Sequence, residues 1–388
     1  MSEWRKVTIG ELVTLRQGFA INAKSKHYIS KEQTSLALLR IADMKSGSKE
    51  IFVKEDIPQN FIAKPQDIIY TRTGNVGLVF RNNYGVVHNN CFTVTPNDEW
   101  ILSRDFLYYL LQSQYFFEKA NSLARGAAQP DLPHSLFNSI EISYPSLQVQ
   151  NKIATILSRY DSLIENYQKQ IKLLEESAQR LYKEWFIDLR FPGHESTKIV
   201  NGVPDGWEKK ILAEIANVVM GQSPKSEFYN KENKGLPFHQ GVGSYGVRFV
   251  EDNIYCTSVT RVARPNSILF SVRAPVGRLN ITKNKIIIGR GLAAMTHRNG
   301  CQSFLYYMLK ERFFKDDIIG NGAIFASISK DELLNLDFIT PQDDLVYRYN
   351  EITQKIDENI KSLDSQIRHL TEARNRLLPK LMSGEIEV

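Results

Sequence analysis

Residues 147–186 read LQVQNKIATILSRYDSLIENYQKQIKLLEESAQRLYKEWF, and this stretch decides the fold because the chain carries it twice. Ile153, Leu157, Tyr160, Ile164, Tyr167, Ile171, Leu174, Ala178, Leu181 and Trp185 follow one another at alternating spacings of 4 and 3. That rhythm marks a coiled-coil seam rather than a short amphipathic helix. Adding 196 gives Tyr349, Thr353, Ile356, Ile360, Leu363, Ile367, Leu370, Arg374, Leu377 and Leu381, the same register with misfits at Thr353 and Arg374. Each helix is predicted to be a rod of roughly 55–65 Å. So much apolar stripe needs a partner, and the second copy supplies one.

Working outward, the segments before each rod also match. Trp4 to Gly18 aligns with Trp207 to Gly221 at an offset of 203. Pro65 to Gly77 aligns with Pro265 to Gly277 at 200, and Phe106-Leu107-Tyr108-Tyr109 with Phe304-Leu305-Tyr306-Tyr307 at 198. From Gly126-Ala127 (Gly322-Ala323 in the second copy) the offset is 196 without a gap. The tryptophans read as packing anchors. The Tyr-Tyr segments read as core positions of helices spanning Ser103 to Ala120 and Cys301 to Lys315. The Pro65 and Pro265 segments each give a turn, a short apolar strand and an arginine-bearing loop with a glycine. Such a loop suits contact with phosphate or base edges, and it is equally a common β-hairpin. Pro145 and Pro341 punctuate the rod entries, with Ser146 a plausible N-cap and Asp343 and Asp344 suited to the positive helix end. Ser383-Gly384 closes the second rod.

The predicted fold class is α+β: two globular α/β domains joined by two long helices that form an antiparallel coiled coil, with a pseudo-two-fold internal repeat. The expected boundaries are 1–146 for the first domain and 147–205 for the first long helix plus linker. The second domain is placed at 206–342 and the second long helix at 343–388. The loops between matched segments share almost no residues. Framework is held while surface differs.

Composition narrows the function. A hydrophobic content of 42% supports real cores, and no apolar run is long enough to span a membrane. Cys91, Cys256 and Cys301 are far apart and form no Cys-x-x-Cys pair, which fits a reducing cytosol. The start, Met1-Ser2-Glu3-Trp4, lacks a basic-then-apolar signal. The reading is a soluble cytoplasmic protein. The net charge of +6 resides outside the rods and is densest from Arg248 to Arg298, where nine basic residues face only Glu251 and Asp252. Such a stretch can neutralise phosphates, although a solvated basic face has the same composition. No phosphate loop occurs, the histidines show no metal-ligand spacing, and Gly289-Arg290-Gly291 lacks the spacing of a dinucleotide fingerprint. Pro204-Asp205 with Glu208-x-Lys210 only superficially suggests a nuclease, since its acids lie within one turn. An enzyme has little to stand on here, which leaves a DNA reader or a coiled-coil interaction scaffold.

Several stretches, taken in order with the repeat, carry a resemblance. They are Pro145-Ser146-Leu147-Gln148-Val149-Gln150, Leu181-Tyr182-Lys183-Glu184-Trp185-Phe186, Phe191-Pro192-Gly193, Gly206-Trp207 and Leu378-Pro379-Lys380-Leu381-Met382-Ser383-Gly384-Glu385-Ile386. The chain resembles, over essentially its whole length, the specificity subunit of type I restriction–modification enzymes. The second copy departs at its rod entry, Pro341-Gln342-Asp343-Asp344-Leu345-Val346. The resemblance implies a non-catalytic reader of double-stranded DNA with two target-recognition domains. It also implies recruitment of two methyltransferase subunits and of restriction/translocase subunits. The assembled complex would be an adenine-N6 DNA methyltransferase and ATP-dependent endonuclease, with S-adenosylmethionine, ATP and magnesium on the partners.

Loop position and residue type nominate the DNA contacts. In the first domain they are Lys24, Lys26, Arg72, Asn75, Asn89, Asn90, Arg125 and Gln129; in the second, Arg261, Arg264, Arg273, Arg278, Arg290 and Asn321. Arginine suits guanine, Asn and Gln suit adenine, and lysine mostly meets phosphate. Domains of this size are roughly 35–40 Å across. Antiparallel rods of matched length would then space two half-sites about one helical turn apart, near 34–36 Å. Inserting four residues into both rods, after Leu174 and Leu370, is predicted to change the spacer accepted between half-sites. Mapping the targets of the lengthened chain tests this, and an unchanged spacer refutes it.

Overall fold

The computed structural model describes residues 4–313 and 327–388, and the chain divides into two compact units. The first comprises Met1–Asn166 with Gln366–Val388, the second Tyr167–Ser365. The long helices are Leu147–Phe186 and Asp343–Met382, and each contributes to both units.

In the first unit the opening turns of the first long helix meet the closing turns of the second. Ile153 and Leu157 share a buried core with Leu381. Arg374, the misfit of the second seam, donates to Asp161 Oδ1 at 2.6 Å. In the second unit the closing turns of the first helix meet the opening turns of the second. Tyr349 Oη donates to the Ala178 carbonyl at 2.9 Å, and its ring lies edge-on to Tyr182. The pairing is antiparallel in both units. Thr353, the other misfit, is wholly buried with its hydroxyl donating to the Tyr349 carbonyl at 2.9 Å. The seam therefore tolerates polar residues wherever they are hydrogen-bonded.

Each globular head is built the same way. In the first, an antiparallel four-stranded sheet orders Val13–Gln17, Cys91–Pro96, Ile68–Thr71 and Val79–Phe80. A five-stranded sheet orders Ile29–Ser30, Phe52–Val53, Leu36–Leu39, Gly85–Val87 and Ile62–Ala63, with one parallel pairing, Leu36–Leu39 against Gly85–Val87. Arg5–Thr8 pairs separately with Glu141–Tyr144. The second head repeats all three pairings: Glu208–Ile211 with Asp337–Thr340, and the two larger sheets in the same strand order. Ile68 and Tyr70 face a core shared with helices Arg104–Gln112 and Gln114–Leu123, while Ile69 faces Leu39 and Val87 of the other sheet. Both sheet faces are covered, which explains the unbroken apolar strand.

Two local expectations are corrected. The helix expected over Ser103 to Ala120 is two helices, because Ser113 caps the end of one and the start of the next. Its hydroxyl donates to the Leu110 carbonyl at 2.6 Å and accepts from Phe116 N at 3.2 Å. Its copy is described as a helix over Gln302–Phe313, and Lys315 and Gly322-Ala323 lie outside the described residues. At the first rod entry, Gln150 rather than Ser146 makes the side-chain bonds. It donates to the Pro145 and Ile101 carbonyls, both at 2.9 Å, and accepts from Ser103 N at 2.8 Å.

The Tyr-Tyr pairs are core residues with a further duty. Tyr109 Oη donates to Asp161 at 2.6 Å, and Tyr307 Oη donates to Asp357 at 2.9 Å. Asp161 and Asp357 are equivalent positions in the two rods. Arg248 completes the second cluster, 2% exposed, donating to Asp357 at 2.6 Å and Glu175 at 3.1 Å with its guanidinium 3.5 Å from the Tyr306 ring centre. Burial opposes the charge, yet Tyr306, Asp357, Tyr307 and Glu175 together hold this guanidinium above its ordinary pKa. Arg248 thus leaves the basic surface expected of residues 248–298. Lys283, paired with Asp364, and Arg298, bonded to the Ala213 carbonyl, are likewise engaged. Arg248→Met is expected to destabilise the second unit by about 3–5 kcal/mol, because it leaves the Asp357 carboxylate without this cation, held by the Tyr307 hydroxyl, and leaves Glu175 to Lys310. The exposed control Arg261→Met should stay within about 0.5 kcal/mol, both read by denaturant unfolding.

Candidate nucleic-acid interface

Three neighbouring strands of each four-stranded sheet end together, and Arg72, Asn89, Asn90, Arg125, Arg273 and Arg290 of the nominated residues lie at or beside their tips. In the first head Gln17 ends one strand, Arg72 follows the second, and Asn89 and Asn90 precede the third. Arg72 N and Thr73 N both donate to the Asn90 carbonyl, at 2.8 and 3.2 Å. The loop from Arg125 to Asp131 closes on this junction through paired backbone bonds between those two residues, each 2.8 Å, and Leu132 N reaches the Arg72 carbonyl at 3.0 Å. The strands cross tightly: a Cβ on Gly18 would lie 2.3 Å from the His88 carbonyl oxygen, and one on Gly221 2.1 Å from that of Gly289. Only glycine fits that crossing, and both copies have it.

The side chains at the first tip form one network. Arg72 donates from Nε and Nη2 to the two oxygens of Asp131, at 3.1 and 2.6 Å, and from Nη1 to Gln17 Oε1 at 3.1 Å. Thr73 Oγ1 adds a 2.5 Å bond to Asp131. The Arg72 bond, opposed by some desolvation and helped by Thr73, keeps the Asp131 carboxyl below the usual carboxylate range. Gln17 Nε2 donates to the Asn89 carbonyl at 2.6 Å.

The second head keeps the backbone and replaces the side chains. Val272 N donates to the Gly291 carbonyl at 3.0 Å, and Ile328 N to the Val272 carbonyl at 2.9 Å, repeating the first-head pattern. Met220, Val272 and Ser327 stand where the first head has Gln17, Arg72 and Asp131. Gln240 and Ser223 line this tip instead, 2.8 Å apart, and Ser223 Oγ accepts from Arg290 N at 3.2 Å.

The structure places the nominated residues as follows. Arg72, Asn89, Asn90 and Arg125 meet at the first tip, and Gln129 is exposed on its closing loop. Asn75 is exposed in the adjoining hairpin turn. Lys24 and Lys26 are exposed on the turn after Phe19, whose carbonyl accepts from Asn89 N. In the second head Arg273 and Arg290 are exposed beside the Val272–Gly291 junction. Arg278 is exposed where the hairpin resumes and has an interaction within the chain. Arg261 is exposed at the near end of strand Val262–Ala263, where its carbonyl accepts from Ile288 N. Arg264 is exposed at the far end of that strand, away from the tip. Asn321 lies outside the described residues. Sequence reading missed Gln17, Asp131, Ser223 and Gln240. Asp131 had a usable signal, since the ungapped repeat sets it opposite Ser327.

Among the described residues, no three His, Cys, Asp or Glu side chains could hold a metal, and no helix is long and apolar enough to cross a membrane. Lys209–Asp337 and Lys210–Glu208 ion pairs occupy the stretch that superficially suggested a nuclease.

The head is duplicated, and each copy gathers hydrogen-bonding side chains at the matching strand tips. The family model described as the type I restriction modification DNA specificity domain matches twice, over residues 1–176 and 204–378. The chain belongs to that family. It is 30% identical over 372 residues to the putative type I restriction enzyme MjaX specificity subunit of Methanocaldococcus jannaschii, covering 90% of this chain and 86% of that one. It is 30% identical over 340 residues to the MjaIX specificity subunit of the same organism, covering 83% and 78%. The crystal structure of the type I restriction–modification system S subunit from M. genitalium superposes with a TM-score of 0.58 at 20% identity, covering 98% of this chain and 96% of that one.

Both hairpin turns are closed by one hydroxyl. Thr71 Oγ1 donates to the Asn75 carbonyl and accepts from Leu78 N at 2.9 Å; Ser271 Oγ bonds the Pro275 carbonyl at 2.6 Å and Arg278 N at 2.8 Å. Thr71→Val removes both bonds while keeping the shape. It is expected to cost about 1–3 kcal/mol and to speed hydrogen exchange at the Leu78 amide. Unchanged exchange there refutes the clasp.

Proposed function

We propose that this chain is the non-catalytic DNA-reading subunit of a type I restriction–modification complex, and that it recognises a bipartite, asymmetric target with one head per half-site. One observation carries the reading: the two heads share strand order, backbone junctions and hydroxyl clasps, yet present different side chains at equivalent tip positions. Identical tips would suit a palindrome. Unlike tips on one frame suit two different half-sites.

The remaining roles fall to partners. Two methyltransferase subunits would supply S-adenosylmethionine chemistry at an adenine in the target. Restriction/translocase subunits would use ATP and magnesium, and the complex would work in the cytoplasm. The chain's own part is to bring base-edge donors and acceptors to the major groove, while exposed Lys24, Lys26 and Arg290 neutralise phosphates.

The test is to assemble the chain with a methyltransferase partner, modify a randomised plasmid library and map the methylated adenines. A split target with unlike halves is expected. A contiguous or palindromic target refutes the two-head reading. Salt-insensitive protein binding without a DNA footprint would favour the interaction scaffold instead.

A further inference from the structure

We propose that Arg72 is a pre-oriented guanine reader of the first head, gripped side-on by Asp131 and braced by Gln17 as positioning residues. The inference deepens the DNA-reading function and rests on it. A guanidinium carries five N–H donors in one plane. Three are spent inside the chain: Nε and one hydrogen of Nη2 on Asp131, and one hydrogen of Nη1 on Gln17. One hydrogen is left on each terminal nitrogen. Two donors in a fixed plane match the O6 and N7 acceptors that guanine shows in the major groove. The side chain is 22% exposed, so the plane is held without being sealed off.

The braces are themselves fixed. Asp131 takes the Thr73 hydroxyl and is pinned through its backbone to Arg125. Gln17 donates its amide to the Asn89 and Cys91 carbonyls, at 2.6 and 3.4 Å, which turns its oxygen toward Arg72. An arginine so held loses little freedom on binding.

Charge decides between base and phosphate. Affinity for phosphate grows with net positive charge and released counterions. The Arg72–Asp131 pair is close to neutral, so it is a poor phosphate clamp, while its directional donors remain. Exposed lysines that carry no carboxylate partner of this kind among the described residues, such as Lys24 and Lys26, do the phosphate work better. The second head carries Met220, Val272 and Ser327 at the three positions and lacks this device. The guanine contact therefore belongs to one half-site only.

The test maps methylated targets directed by the full chain, assembled with its methyltransferase partner, for wild type, Arg72→Lys, Asp131→Asn and Gln17→Met. The wild-type map should show a G·C pair in one half. Arg72→Lys keeps the charge but loses the fork, and should cut discrimination at that pair about 10–100-fold while the other half is read unchanged. Asp131→Asn and Gln17→Met should relax the same pair to a smaller degree. A wild-type target with no G·C pair in either half overturns the proposal whatever the variants do. Equal loss at all targets overturns it in favour of a phosphate contact, and unaltered discrimination in Arg72→Lys overturns it outright. A split target from wild type with any of these results leaves the DNA-reading function standing. No sequence-directed methylation by wild type brings down both.

Discussion

A carboxylate on each long helix, Asp161 or Asp357, is the contact on which the heads depend. Each accepts a tyrosine hydroxyl from its head, and each is neutralised by arginine: Arg374 for Asp161 and Arg248 for Asp357. In a partly buried site an unpaired carboxylate costs several kcal/mol. The pairing therefore fixes how the Tyr-Tyr helix seats on the rod more sharply than apolar packing, which allows sliding. The acceptor is the same in both copies, but the cations come from different elements. The first head adds Arg81, from the end of its hairpin, 4.1 Å over the Tyr108 ring. The second reaches in with Arg248 from a loop after Leu236–His239. Loops are free to change so long as some cation still reaches the rod.

Features set by local periodicity were legible. The seam could be read because a helical repeat of 4 and 3 needs no knowledge of the partner, and all twenty nominated seam positions are buried or half-buried. Strand Ile68–Thr71 was legible for the same reason. What could not be read depends on neighbours distant in sequence. Arg248 looked like surface charge because its partners, Glu175 and Asp357, lie 73 and 109 residues away. Arg72 was nominated as a contact, but its bond to Asp131 spans 59 residues, so the brace was invisible. The break at Ser113 was hidden because an apolar pattern does not reveal a serine that caps two helices at once.

The tips show how a head can vary without unfolding. Their backbone is tied by main-chain bonds and by one hydroxyl, Thr71 or Ser271, none of which needs the side chains at 17, 72 or 131. Gln17 becomes Met220, Arg72 becomes the buried Val272, and Asp131 becomes Ser327, yet the junctions to Gly291 and Ile328 persist. The glycines at the crossing cannot change, because any Cβ would overlap a carbonyl. Structural duty lies in the main chain, and the tip side chains are left free to differ.

The same logic separates two arginines that composition treats alike. Arg248 sits between two carboxylates with its side chain 1% exposed, so its hydrogen bonds serve the fold alone. Arg72 meets one carboxylate and keeps 22% exposure, so charge is cancelled while two donors stay available. A surplus of basic residues is then a poor measure of DNA affinity, because each internal pair removes a charge from the surface. What remains exposed and uncompensated sets attraction to phosphate, and in the proposed reading what remains exposed and compensated is left to read bases. In the proposed reading the first head holds both kinds, the exposed Lys24 and Lys26 for phosphate and the paired Arg72 for a base, the division of labour that a sequence-specific reader of a uniformly charged polymer requires.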